Sequence, residues 1–260
     1  MTSAEADQRD VPELFEGALG SEDEGFRWNS IAALHWRGSR DVFDRAAELC
    51  RSPRARERAL GADILGQLGI PERAFPEESF CPVLQLLSDS ATEVLYSAIV
   101  ALQHIDRETA AAHVIPFSNY SDDDVRYAVA LGLSAVQSEE AINALLTLTR
   151  DRESDVRNWA TFGLGQQSDA DSPEIREALA AGLQDGDEDV RYEAIIGLAR
   201  RRDTRMAGFL KIMLHNDPAD VFAREAAARL LGNECSADTP TGDLLGALQR
   251  QQRWARREPG

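Results

Sequence analysis

Apolar positions along this chain recur with a helical period, and the period itself recurs as a block. In SDVRNWATFGLG (residues 154–165), Val156, Ala160 and Leu164 fall on one helical face and a glycine follows. Ser154 or Asp155 stands where a helix cap is expected. The block returns as DVRYAVALGLS from Asp124 and DVRYEAIIGLA from Asp189. Weaker copies read RWNSIAALH from Arg27, RALGADILG from Arg58, LYSAIVALQ from Leu95 and REAAARLLG from Arg224. Aligned on the arginine, the copies stand at 27, 58, 95, 126, 157, 191 and 224, with Leu95 replacing the arginine in the third.

Between the copies lies a second helical pattern, as in residues 139–149, 172–183 and 204–214. There Ser172 followed by Pro173 reads as an N-cap with a first-turn proline. No stretch alternates with period two for long enough to suggest a sheet. A helix pair cannot bury its apolar stripe alone, whereas stacked pairs can. The expected fold is therefore all-α: an α-α superhelix, or α-solenoid, of about seven helix pairs plus a C-terminal helix. The expected divisions are a flexible N-terminus (1–10), the repeat array (11–233), a linker (234–242) and a C-terminal helix with a basic tail (243–260).

The pattern D…DVRxxAxxGLG resembles the HEAT-like repeat, in the short bacterial form of phycobilisome lyase subunits. The resemblance covers roughly residues 11–233 and is strongest at 122–135, 151–166 and 185–200. It implies an armadillo-like superhelix. It also implies, partly by analogy, motif helices on the convex side and intervening helices on the concave side. As a second functional reading it implies a phycobilin lyase-like chromophore lyase or chaperone subunit. The shared repeats are scaffold, so no catalytic residue is carried over.

An aspartate recurs five residues before the motif valine, as Asp89, Asp151 and Asp185. The resemblance implies that these aspartates form a structural ladder with Arg126, Arg157 and Arg191 between neighbouring repeats. The physical reason is that turn amides need acceptors and a half-buried arginine needs a carboxylate. The second aspartate of each motif (Asp124, Asp155 and Asp189) is expected to cap its helix. The remaining acidity of residues 121–124, 151–155 and 185–189 reads as a solvated edge or a docking edge for a basic partner.

With the motif valine at zero and 100° per residue, the position after the arginine points away from the buried face. It reads Trp28, Ala59, Tyr96, Tyr127, Asn158, Tyr192 and Glu225, and so holds three of the four tyrosines in the chain. Trp159 and Phe162 stand beside it in the fifth copy. The expected partner-binding stripe is thus Trp28, Tyr96, Tyr127, Asn158, Trp159, Phe162 and Tyr192, lining a concave groove. Packing between repeats is the competing reading of the stripe.

Composition narrows the function. The net charge of −17 repels phosphate backbones and anionic lipid, so nucleic acid and membrane are not expected partners. Apolar runs are too short to span a bilayer, and the polar, acidic start lacks a secretory pattern, which points to a cytoplasmic protein. Cys50, Cys81 and Cys235 form no C-x-x-C pair and are expected to be inert. His35, His104, His113 and His215 lack the His-Glu pairs of the HEAT-like enzyme deoxyhypusine hydroxylase. No phosphate loop or nucleophile elbow is present. No catalytic residue, metal or cofactor is assigned. The C-terminus turns basic, with Arg250, Arg253, Arg256 and Arg257 around Trp254. It reads as a closing helix against the acidic body or as a tail for an anionic partner. The function expected is a non-catalytic interaction scaffold for a protein or peptide, possibly basic.

Overall fold

The computed structural model describes residues 6–232 and 235–255, and among them it holds fourteen α-helices and no strand. The chain forms two compact units, Met1–Val136 and Gln137–Gly260. The first contains α1 (Val11–Gly20), α2 (Glu24–Arg37), α3 (Arg40–Leu49), α4 (Ala55–Gly66), α5 (Pro76–Gln85), α6 (Thr92–Val114) and α7 (Asp123–Leu133). The second contains α8 (Glu139–Leu148), α9 (Ser154–Phe162), α10 (Pro173–Gly182), α11 (Glu188–Arg200), α12 (Ala207–Asn216), α13 (Val221–Leu231) and α14 (Thr241–Ala255).

The seven motif copies are α2, α4, α6, α7, α9, α11 and α13. In every one the aligned arginine, or Leu95, is the fourth helical residue. Each motif helix packs on the helix before it. In α6 both roles share one rod: the chain kinks at Asp106, whose carboxylate takes the backbone N–H and hydroxyl of Thr109 and restarts the helix. Its second half then serves as the intervening helix ahead of α7. The seven pairs and the closing helix are the expected α-solenoid.

The two layers are not equivalent. In each unit successive motif helices pack directly on one another, α4 on α6 on α7 and α9 on α11 on α13, while α3 with α5 and α8 with α10 barely touch. Small residues permit the close side. A Cβ on Gly66 would stand 2.8 Å from the Cα of Ala101, and one on Gly197 would stand 2.7 Å from the Cα of Gly165. The motif helices therefore form the closely spaced inner layer of each unit. The expectation that they lie on the convex side is reversed, because these glycines and alanines let their backbones approach.

Caps also depart from expectation. The capping side chains are Asp122 and Asp187, which accept from Val125 N and Val190 N. The cap position of α9 is Glu153, with no side-chain cap bond. Asp124, Asp155 and Asp189 lie one step inside the first turn, where they favour the helix dipole but cap nothing. Ser172 does cap α10, through Ile175 N.

Two expected loose segments are fastened where they are described. Arg37 donates to the carbonyls of Asp7 and Arg9, and Arg9 donates to the Ser30 hydroxyl, so the run into α1 is tied down. The segment expected as a linker is gripped by Arg224, which donates to the carbonyls of Ala237 and Thr239. The Arg253 and Trp254 side chains, and Arg256 and Arg257, lie outside the described residues; Arg250 is exposed.

After α9 the chain makes one π-turn at Gly163–Gln167. The buried Arg201 guanidinium stitches this turn and the following loop together, donating to the carbonyls of Leu164, Gly165, Gly197, Ser168 and Ala170. Gly197→Ala should therefore push α11 away from this turn and cost about 1–3 kcal/mol, read as a lower midpoint in urea denaturation. Gly186→Ala, where an added Cβ meets nothing within 4 Å, should be close to neutral.

Candidate partner-binding face

The motif arginine makes the same bond in five copies. Its terminal nitrogen reaches back to the carbonyl six residues earlier: Arg58 to Ser52, Arg126 to Tyr120, Arg157 to Asp151, Arg191 to Asp185 and Arg224 to Pro218. The carbonyl one residue later is taken as well by Arg126, Arg157 and Arg191. These carbonyls sit in the turn ahead of the helix, where each needs a donor.

The rest of the guanidinium grips the next repeat. Arg58 closes a two-pronged pair on Asp89, at 2.6 and 2.9 Å. Arg157 does the same on Asp185, at 2.7 and 2.8 Å. Each aspartate also accepts the amide two residues on: Asp89 from Ala91, Asp151 from Glu153 and Asp185 from Asp187. The guanidinium bond holds the Asp89 and Asp185 carboxyls below the usual carboxylate range. Arg58, outside the expected ladder set, is thus a rung as complete as Arg157. Not every rung is complete. Leu95 stands for the arginine and Tyr120 for the following aspartate, while Arg27 faces a repeat with Ser52 at that position and leaves its buried Nε without a hydrogen-bond partner.

The inner layer carries the aromatic stripe. In the first unit Trp28 is 48% exposed, and the half-buried Tyr96 and Tyr127 lie nearly parallel with centroids 6.5 Å apart. In the second unit Trp159 and Phe162 meet edge to face at 5.4 Å, and Tyr192, 42% exposed, stacks on Phe222 at 3.6 Å. Asn158 is half-buried beside Trp159, its side-chain carbonyl oxygen buried without a partner. A cleft of about 240 Å³ opens between α11 and α13, lined by Gln166, Tyr192, Ile196, Phe222, Glu225 and Arg229 among others.

Two residues of this face escape the sequence reading. Phe222 precedes the motif-valine position by one residue, which is 260° on the same wheel and so beside the tyrosine at 200°. Extending the alignment one residue upstream would have found it. Asp63 is the acidic exception at the position five after the arginine, where the neighbouring copies have Val100, Leu131, Phe162 and Ile196. Burial raises its carboxyl to about 6 against the pull of Ser97 and Arg27. Its own backbone carbonyl meets Nε2 of the buried His35 at 3.0 Å, so that nitrogen carries the proton. Burial holds His35 neutral, near 4. Cys50 is buried and its thiol is pushed up to about 12, which makes it unreactive.

The rungs and Asp63 should respond to pH with opposite sign. A depressed carboxyl stabilises the fold above its unfolded value and loses that contribution as pH falls through its folded one. Asp185→Asn should therefore cost about 1.5–3 kcal/mol at pH 7, with the gap to the parent closing only in strong acid. A raised carboxyl is most favourable below its unfolded value and loses its contribution as pH rises through about 6. Asp63→Asn should raise the melting temperature at pH 7.5 and leave it nearly unchanged at pH 4. Thermal melts of both variants across pH check the two signs.

The comparisons agree with the architecture. A family model described as HEAT repeats matches residues 82–165 and 148–232. Protein YibA of Escherichia coli K12 is 30% identical over 196 residues, covering 71% of this chain and 68% of its own. The X-ray structure of Escherichia coli YibA superposes with a TM-score of 0.73 at 25% identity, over 98% of this chain and 94% of that one. The complex of CpcE and CpcF of phycocyanin lyase from Nostoc sp. PCC7120 shares the fold, with a TM-score of 0.51 at 17% identity over 96% and 98% of the two chains. With repeats matched over more than half its length, the chain belongs to the HEAT-repeat family.

Proposed function

We propose that this protein is a non-catalytic scaffold that binds a protein or peptide partner on the ring-bearing face of its motif helices. The observation that carries this reading is the outward display of large aromatic side chains from the inner layer. A helix layer serving packing alone turns such rings inward, whereas Trp28 and Tyr192 stand nearly half exposed. Rigid aromatics with a polar tip supply contact area at low entropic cost, and stacked helix pairs hold them in fixed positions. The expected stripe (Trp28, Tyr96, Tyr127, Asn158, Trp159, Phe162 and Tyr192) is part of this proposal, with Phe222 added to it. No described helix is long and apolar enough to cross a membrane.

The chromophore-lyase reading stands as the alternative. The likeness behind it is one of fold, and coexpression with a bilin source, read as covalent colour on an acceptor protein, separates it from the scaffold.

The double variant Tyr127→Ala/Tyr192→Ala should keep the parent's helicity by circular dichroism and lose the partner that the parent captures from lysate, identified by mass spectrometry. Undiminished capture of that partner by the folded double variant would sink the ring-face model.

A further inference from the structure

Each tyrosine of the ring face follows an acidic residue by three positions. The pairs are Glu93 with Tyr96, Asp124 with Tyr127 and Asp189 with Tyr192. Three residues apart on a helix is one face, one turn apart. These are the carboxylates first expected to cap their helices. The caps are Asp122 and Asp187 instead, so the side chains of Asp124 and Asp189 are not consumed by capping, and with Glu93 they are exposed.

The surroundings add to the sign. Asp124 and Asp63 lie near enough to Tyr96 to make its hydroxyl harder to ionise, as do Asp220, Glu193 and Glu225 around Tyr192. Burial is the larger cause in both. Arg27 lies near Asp63 in the first unit, and Arg229 lines the α11–α13 cleft of the second. A ring face with a carboxylate at its edge is the chemistry that holds a guanidinium or ammonium. Spacing makes the ligand more specific. The Tyr96 and Tyr127 centroids stand 6.5 Å apart, and alternate side chains of an extended chain recur every ~6.6 Å on one side.

We propose that the acid–x–x–tyrosine faces of α6 and α7 bind an extended basic peptide, with alternate arginine or lysine side chains seated on the Tyr96 and Tyr127 rings. This rests on the ring-face reading above and names the partner's chemistry. The net charge of −17 draws such a peptide in from solution. The rings and their paired carboxylates select the spacing.

Binding is read by fluorescence anisotropy with labelled (Arg-Ser)4 and with (Cit-Ser)4, in which neutral citrulline replaces arginine. The (Arg-Ser)4 peptide should bind and weaken as salt rises, and the citrulline peptide should not bind. Tyr127→Leu and the pair Glu93→Gln/Asp124→Asn should each weaken binding about tenfold. The pair Glu139→Gln/Glu140→Gln removes equal charge from the exposed start of α8 and should change affinity less than about twofold. Equal loss in the two charge-neutralising pairs would reduce the effect to bulk polyelectrolyte attraction and overturn the proposal. Equal binding of the citrulline peptide, or no binding of (Arg-Ser)4, would overturn it too. If that happens while Tyr127→Ala/Tyr192→Ala still loses its captured partner, the ring face stands and only its cationic specificity falls.

Discussion

The array depends on motif guanidiniums, Arg58 and Arg157 foremost, that face two ways. One terminal nitrogen satisfies the carbonyls of the turn that launches its own helix, and the opposite edge closes on the aspartate of the next repeat. That aspartate meanwhile ties up a turn amide of its own repeat. A single residue position six before the arginine is thus a node. At Asp185 its carboxylate receives Arg157 and its carbonyl receives Arg191. A planar fork with five donors presents separate edges to the two partners, whereas an ammonium offers its three donors from a single atom. Leu95 with Tyr120 drops the rung as a whole, whereas Arg27 opposite Ser52 keeps a guanidinium whose buried Nε has no hydrogen-bond partner.

The clamp fixes where each motif helix starts, and small residues fix how closely the helices stack. Together they put the same helical angles of successive copies side by side within each unit. Tyr96 meets Tyr127, and Tyr192 meets Phe222, although neither pair is near in sequence. The face that results has no counterpart in any single repeat, since it is made by the register between repeats.

Much of this was legible in the sequence. The spacing of Val156, Ala160 and Leu164 by fours, in a block that recurs through the chain, leaves little but stacked helix pairs, and the resemblance to HEAT-like repeats implies an aspartate partner for Arg157. What was misread shares a cause. Caps were assigned to the aspartates nearest the apolar run, whereas Asp122 and Asp187 cap from two residues earlier, since a side-chain cap reaches forward to the third residue of the helix. The two layers were exchanged because helix patterns alone do not say which layer approaches more closely; that is decided by glycine against alanine at contacts such as Gly66 with Ala101. Arg201 and its five carbonyls were invisible, because they answer to a π-turn whose need for donors exists only once the turn has formed.

The last motif arginine is held without a carboxylate. Arg224 has no following repeat to supply an aspartate. Its free edge is filled by the carbonyls of Ala237 and Thr239, and by the Thr241 hydroxyl at the start of α14. A short loop therefore impersonates the missing repeat. It offers oxygens with no formal charge where the rungs of Arg58 and Arg157 offer a carboxylate, so acid that protonates those carboxylates leaves the grip on Arg224 untouched.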